Sequence, residues 1–134
     1  MEEGNNFIIM GAGVYQVPLI KAAQRLGRKA IVMSTFGEYP GIKEADVFLN
    51  IDTTDTKAVI QACFEQKPIG IATTGSDVCV PSIGAVVDEF KLPGTGKKAA
   101  MNSMDKALMK TKFEENDVPT AKYRICNSLN DVKK

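Results

Sequence analysis

The chain has 134 residues, of which 44% are hydrophobic and 25% charged, and its formal net charge is +1. This composition is ordinary for a globular protein with one core, so we expect one domain, or one domain with part of another. Positive and negative side chains are interleaved, which disfavours nucleic acid as a partner, and the apolar runs are too short to cross a membrane. No secretory signal is visible, so the cytoplasm is the expected location.

Histidine is absent from the sequence, and the three cysteines, Cys63, Cys79 and Cys126, are far apart. Their spacing indicates neither a zinc site nor a disulfide framework, so we expect small buried side chains. The lack of histidine excludes Ser-His and Cys-His catalysis, and histidine–metal ligation, within this chain.

Short apolar runs alternate with amphipathic stretches through the first part of the chain. Each run is bounded by glycine, proline or polar residues, as strands are. The alternation favours an α/β class fold, a Rossmann-like open parallel sheet with helices on both faces. We expect the strand order 3-2-1-4 with the first strand central, because its sequence, Phe-Ile-Ile-Met, is apolar on both sides. The predicted strands are residues 7–10, 30–34, 47–51 and 69–74.

Three helices are predicted between and after these strands. The first has apolar residues on one face between Val17 and Leu26. The second is preceded by Thr54 and Asp55, which are typical capping residues. The third should begin between Asp77 and Val80, because the proline that follows is tolerated only in a first turn.

The sequence changes character after residue 90. Residues 92–96 are rich in glycine and proline, and helices are predicted over 97–104 and 105–116. Residues 121–126 alternate with period two, as a half-buried strand does. Residues 127–131 look like the start of another helix. We therefore expect the opening of a second domain that is cut off, so that the chain is a fragment.

The first strand leads directly into Gly11 and Gly13 and then into a helix. Glycine allows a ligand to approach the backbone closely, and the N–H groups and dipole of a helix start favour a negative group. A dinucleotide motif would have a third glycine where Gln16 stands and an acidic residue near Thr35. The loop predicts an anion or polar-ligand site rather than an NAD site, with a plain tight turn as the alternative.

The loop after the fourth predicted strand reads Thr-Thr-Gly-Ser-Asp at residues 73–77. If the first and fourth strands are neighbours, this loop faces the glycine pair across the topological switch point. Ser76 and Asp77, together with Gln16, could then orient a polar substrate. The alternative is that Ser76 or Asp77 caps the third helix. Lys106, judged from spacing alone, is one more solvated helix lysine.

Taken together, these motifs resemble the N-terminal domain and the entry to the central domain of ATP-grasp enzymes. The likeness is to the branch similar to the carbamoyl-phosphate synthetase large subunit, biotin carboxylase and related carboxylate–amine ligases, and it extends from Phe7 to Ile125. The segments that carry it are residues 10–18 (MGAGVYQVP), 39–41 (YPG), 44–46 (EAD), 52–55 (DTTD), 71–77 (IATTGSD), 92–94 (LPG), 104–110 (MDKALMK) and 118–120 (VPT).

The resemblance implies a parent ligase that uses ATP and Mg2+ to convert a carboxylate or bicarbonate into an acyl phosphate, which an amine then attacks. It implies a pre-ATP-grasp domain over residues 5–95, followed over residues 96–134 by a linker helix and the truncated start of the ATP-grasp domain. Lys106 occupies the position of a cation that reaches the ATP phosphates. The substrate-binding residues implied are Gly11, Gly13, Tyr15, Gln16, Ser76 and Asp77.

The same resemblance places the catalytic and metal-binding residues beyond this chain, so the fragment is expected to be inactive and to bind no cofactor by itself. Asp117 stands where relatives often have glycine, at a left-handed position that Asp can adopt. The expected partners are a small-molecule carboxylate and ATP, with no nucleic acid or membrane and with a homodimer as a candidate assembly. A self-contained Rossmann-type nucleotide- or anion-binding regulatory module stays open as an alternative, whereas Gln16 and the missing acid disfavour a dehydrogenase.

Overall fold

The computed structural model describes residues 4–133, which form two compact units that divide between Met101 and Asn102. The strands are β1 (Asn6–Met10), β2 (Lys29–Ser34), β3 (Val47–Asn50) and β4 (Gly70–Ala72). The helices are α1 (Val17–Arg25), α2 (Pro40–Glu44), α3 (Thr56–Gln66), α4 (Val80–Phe90), α5 (Lys97–Met104), α6 (Lys106–Glu115) and α7 (Leu129–Val132).

The four strands form one parallel sheet in the order β3-β2-β1-β4. In its register, Ile8 of β1 lies opposite Ile31 of β2 on one side and Ile71 of β4 on the other. The predicted class, order and central position of the first strand are therefore confirmed.

Both faces of the sheet are buried, as the apolar sequence of β1 predicts. Ile8 and Met10 belong to a core formed with α3 and α4, whereas Ile9 belongs to a second core formed with α1 and α2. Successive side chains of a strand point to opposite faces, so a continuous apolar run supplies both cores. The helices lie on both faces of the sheet, as expected.

The helix starts follow local chemistry. Asp55 caps α3 by accepting hydrogen bonds from the backbone N–H groups of Lys57 and Ala58, each at 3.1 Å, which confirms it as the capping residue. The Thr54 hydroxyl bonds instead to Asp52 at 2.7 Å. The one-turn helix α2 was not predicted, because five residues are too few to show a helical period.

The predicted strand at residues 121–126 is wrong, because those residues form no strand. A strand is stabilised by hydrogen bonds to a neighbouring strand, and residues 102–133 contain no other strand with which this segment could pair. The expected left-handed conformation of Asp117 is confirmed by its φ of 54°. The helix expected from 127–131 exists as the short α7, while Lys134 lies outside the described residues.

Two of the three cysteines are buried, as expected, and the third is not. Cys63 and Cys79 lie in the core of the sheet unit, and burial raises the pKa of the Cys63 thiol to about 11. Cys126 is exposed, because the segment that contains it has no neighbouring strand to pack against.

Candidate functional site

The candidate site lies where the carboxyl ends of β1 and β4 meet. Two loops follow these strands: the glycine loop, residues 11–16, and the β4–α4 loop, residues 73–79. The Thr73 hydroxyl donates a hydrogen bond to the carbonyl of Met10 at 2.7 Å, and the Gln16 side-chain amide donates one to the carbonyl of Thr74. The expectation that the two loops face each other is confirmed.

Gln16 is almost completely buried and lies across the glycine loop. It is the N-terminal cap residue of α1, but its side chain makes no capping bond, and only 4% of the residue is exposed. A Cβ atom on Gly11 would lie 3.2 Å from the Gln16 amide carbon, and one on Gly13 would lie 3.1 Å from its Oε1. The two glycines therefore make room for a side chain of this same loop.

Tyr15 and Gly75 form the second contact between the loops. Gly75 has a left-handed backbone, with a φ of 64°, and a Cβ atom there would lie 2.8 Å from both Cβ and Cγ of Tyr15. Tyr15 is nevertheless 69% exposed. The base of this side chain is held against the β4–α4 loop, while much of its surface is accessible to a ligand.

Ser76 and Asp77 do not cap α4, so the capping alternative is wrong. The cap position is Cys79, and no side chain bonds to the helix start there. Neither the Ser76 hydroxyl nor the Asp77 carboxylate makes a hydrogen bond within residues 4–133, while the Asp77 carbonyl accepts one from Val80 at 2.9 Å. Both side chains thus stay available at the candidate site.

A cleft beside the segment that joins β2 to α2 was not identified from the sequence. It has a volume of about 700 Å³ and lies along the segment from Phe36 to Glu44, where β2 leads into α2. The backbone N–H of Gly41 donates to the carbonyl of Ala12 at 2.8 Å, and a Cβ atom on Gly41 would lie 2.7 Å from that oxygen. The Tyr-Pro-Gly motif therefore lets α2 pack directly under the glycine loop.

Lys106 is the first residue of α6, in the second unit. It is exposed, as predicted, and makes no ion pair with the described residues. Asp105 caps this helix through the N–H groups of Ala107 and Leu108, at 2.8 and 3.0 Å. Lys110, one turn later, instead contacts its own unit, because its ammonium group lies 5.5 Å from the centre of the Tyr123 ring.

The described residues contain neither a metal-binding cluster nor a membrane-spanning helix. Among residues 4–133, no three His, Cys, Asp or Glu side chains are grouped closely enough to hold a metal ion. In the same part of the chain, none of the helices has the length and apolar character that crossing a membrane requires.

Comparison with known proteins relates this geometry to a class of enzymes. No family model matches the sequence. The chain is 28% identical to a formate-dependent phosphoribosylglycinamide formyltransferase from Herminiimonas arsenicoxydans, and the alignment covers 94% of this chain and 31% of that protein. The crystal structure of phosphoribosylglycinamide synthetase from Anaerococcus prevotii superposes with a TM-score of 0.84 at 29% identity, covering 98% of this chain and 34% of that one.

A third similarity concerns the fold alone. An ADP complex of N5-carboxyaminoimidazole ribonucleotide synthetase superposes with a TM-score of 0.79 at 19% identity, covering 99% of this chain and 34% of that one. The structural neighbours are ATP-grasp carboxylate–amine ligases, and the chain matches their N-terminal part. The predicted resemblance is confirmed. Among the homologues are formate-dependent phosphoribosylglycinamide formyltransferases, and the chain spans about a third of the length of the relatives that it matches.

Proposed function

We propose that this chain is the substrate-side portion of an ATP-dependent ligase, which activates a carboxylate or bicarbonate as an acyl phosphate for attack by an amine. The observation that carries the proposal is the superposition of 98% of the chain on the N-terminal third of a phosphoribosylglycinamide synthetase, with a TM-score of 0.84. The name of the formate-dependent relatives supports a carboxylate as the activated group.

In this proposal the two facing loops hold the polar body of the substrate. Ser76 and Asp77 supply a hydroxyl and a carboxylate that no described residue engages, and Tyr15 supplies an exposed phenol. Gly11 and Gly13 shape the loop, and the buried Gln16 holds it against the neighbouring loop. Ligands of open parallel sheets bind at this edge, next to the switch in strand order.

ATP would activate the carboxylate by supplying its terminal phosphoryl group, and Lys106 is the residue proposed to contact the ATP phosphates. Its exposure and lack of an ion pair suit that role. One exposed ion pair stabilises a complex by about 0–1 kcal/mol, whereas micromolar binding requires about 8 kcal/mol. The relatives are about three times as long as this chain, so we assign Mg2+ and most of the ATP site to other parts of a longer enzyme.

The remaining elements of the proposal concern its setting. We propose a cytoplasmic enzyme whose partners are ATP and a small-molecule carboxylate. A homodimer is the assembly to test, by light scattering of the complete protein. A particular likeness to carbamoyl-phosphate synthetase or biotin carboxylase stays a prediction.

Calorimetry with MgATP tests the proposal that most of the ATP site lies outside this chain. The 134-residue chain should show no micromolar binding, because one lysine cannot hold a nucleotide. Micromolar binding would instead support the alternative function, a self-contained nucleotide-binding regulatory module. The second test is to sequence the gene beyond Lys134. A continuation with a second lysine for the nucleotide, a glycine-rich loop and paired acidic residues supports the ligase. A stop codon in an intact gene contradicts it.

In such a longer protein, Lys106→Ala should raise the KM for ATP by up to about fivefold, because one exposed ion pair contributes up to about 1 kcal/mol. The matched control is Lys112→Ala, on the same helix, whose ammonium group pairs with Glu115. An equal effect of the two substitutions would remove Lys106 from the ATP site.

A further inference from the structure

The glycine loop already contains an occupant, the side chain of Gln16. Its amide group lies within 3.2 Å of the position that a Cβ on Gly11 would take, and within 3.1 Å of the corresponding position on Gly13. Its Nε2 donates to the carbonyl of Thr74 in the facing loop. The space that two glycines usually leave for a ligand is filled from within.

The backbone donors of the loop are also partly used. The N–H of Gly11 bonds to the carbonyl of Met33 at 2.8 Å, and the N–H of Gln16 bonds to the carbonyl of Gly13 at 3.1 Å. Pro18, in the first turn of α1, has no N–H to offer. The N–H groups of Gly13, Val14 and Tyr15 make no hydrogen bond among residues 4–133, so the filled space, rather than a general lack of backbone donors, is what a phosphate meets in this loop.

We propose that Gln16 is a specificity-determining residue that closes the glycine loop to phosphate groups. In a dinucleotide-binding loop this position is a glycine that allows the helix to pack closely on the strand, while the second glycine lets the backbone approach the pyrophosphate. Here a phosphate that enters the space between the two glycines displaces a buried amide from its hydrogen bond, which leaves polar groups unpaired. The substrate therefore meets this loop through a group other than phosphate.

This inference rests on the proposed function only in placing the substrate at this loop. Its test uses neither substrate nor ATP, so that its failure is distinguishable from failure of the ligase proposal. The probe is inorganic pyrophosphate, titrated at constant ionic strength into the 15N-labelled 134-residue chain, and the readout is the set of amide signals from residues 12–17.

Four variants distinguish the effect of the space that Gln16 fills from the effect of the N–H group that Pro18 lacks. Gln16→Gly and Gln16→Ala empty the loop, Pro18→Ala restores a helix N–H while Gln16 stays in place, and Q16G/P18A does both. The original chain and P18A should show no saturable shifts at these amides. Q16G, and Q16A if Q16G does not fold, should bind pyrophosphate at least about tenfold more tightly than the original chain, and the double variant more tightly still.

Two outcomes would overturn the proposal. One is that the original chain or P18A binds pyrophosphate at these amides as tightly as Q16G. The other is that the folded Q16G, Q16A and double variants all show no binding there. In either case the side chain of Gln16 would not be what controls access to the loop.

Discussion

The two units of this chain differ in how their apolar residues are used. In the sheet unit, which extends through Met101, strands and helices bury two continuous cores. In the second unit, which begins at Asn102, α6 has no buried residue and Leu129 is 80% exposed. Both segments have helical or strand-like patterns, so a pattern by itself does not ensure burial. A complementary surface is also needed.

The largest expected difference between the units concerns core side chains. Ile8→Ala removes a completely buried side chain of the central strand, and it should lower the free energy of unfolding by about 2–5 kcal/mol. Leu108→Ala removes a side chain that is 45% exposed in α6 and should change it by less than about 0.5 kcal/mol. Urea unfolding measures both. Equal losses would show that the second unit has a core of comparable strength.

A pair of glycines tests the packing between the loops of the sheet unit. Gly75→Ala places a Cβ 2.8 Å from Tyr15 at a left-handed position, whereas Gly27→Ala has the same kind of backbone, with a φ of 70°, and nothing within 4 Å. The backbone penalty of about 1–2 kcal/mol is common to both. Gly75→Ala should therefore destabilise the chain by about 1–3 kcal/mol more, the cost of overpacking. Equal melting temperatures would show that the loops separate freely.

The helix caps give a smaller, matched comparison. Asp55 and Asp105 cap α3 and α6 with the same two backbone bonds, and replacing either by alanine removes about 1 kcal/mol of helix stability. Asp55→Ala should lower the global free energy of unfolding, because α3 belongs to the core. Asp105→Ala should mainly speed hydrogen exchange in α6. A loss of global stability from Asp105→Ala would show that the two units unfold together.

The last comparison concerns the pH dependence that the buried Cys63 thiol gives to stability. Burial raises the pKa of Cys63 from the usual 9.0 to about 11, so the folded state keeps a proton that the unfolded state loses. Stability from this group is complete below pH 9 and declines between about pH 9 and 11. Cys63→Ser should remove that decline, and Cys126→Ser, at an exposed position, should leave it unchanged. Urea unfolding at pH 8 and pH 10.5 checks this.

The candidate site was predictable in its position but not in its internal contacts. The apolar runs indicate the strand order, and that order places the glycine loop next to the β4–α4 loop. The fold of Gln16 over Gly11 and Gly13 could not be predicted, because the direction of one side chain depends on the carbonyl of Thr74, far away in sequence. The cleft beside α2 was missed for the same reason, since α2 is supported by Ala12 rather than by a period of its own.

The sequence by itself determined the parallel sheet, its order and the helices on both faces. These depend on local periodicity and on runs such as Phe-Ile-Ile-Met, which are stable only with both faces covered. It also determined the left-handed Asp117 and the cap at Asp55, because such positions depend on a few neighbouring residues.

Only the tertiary structure decided which residues the glycines accommodate and which side chains stay available for a ligand. Ser76 and Asp77 could equally have capped α4, and residues 121–126 could have paired as a strand. Both outcomes depend on what lies beside a segment in space. The fold determines which neighbour a polar group bonds to and which surface covers an apolar side chain. The sequence of the segment itself does not specify that neighbour.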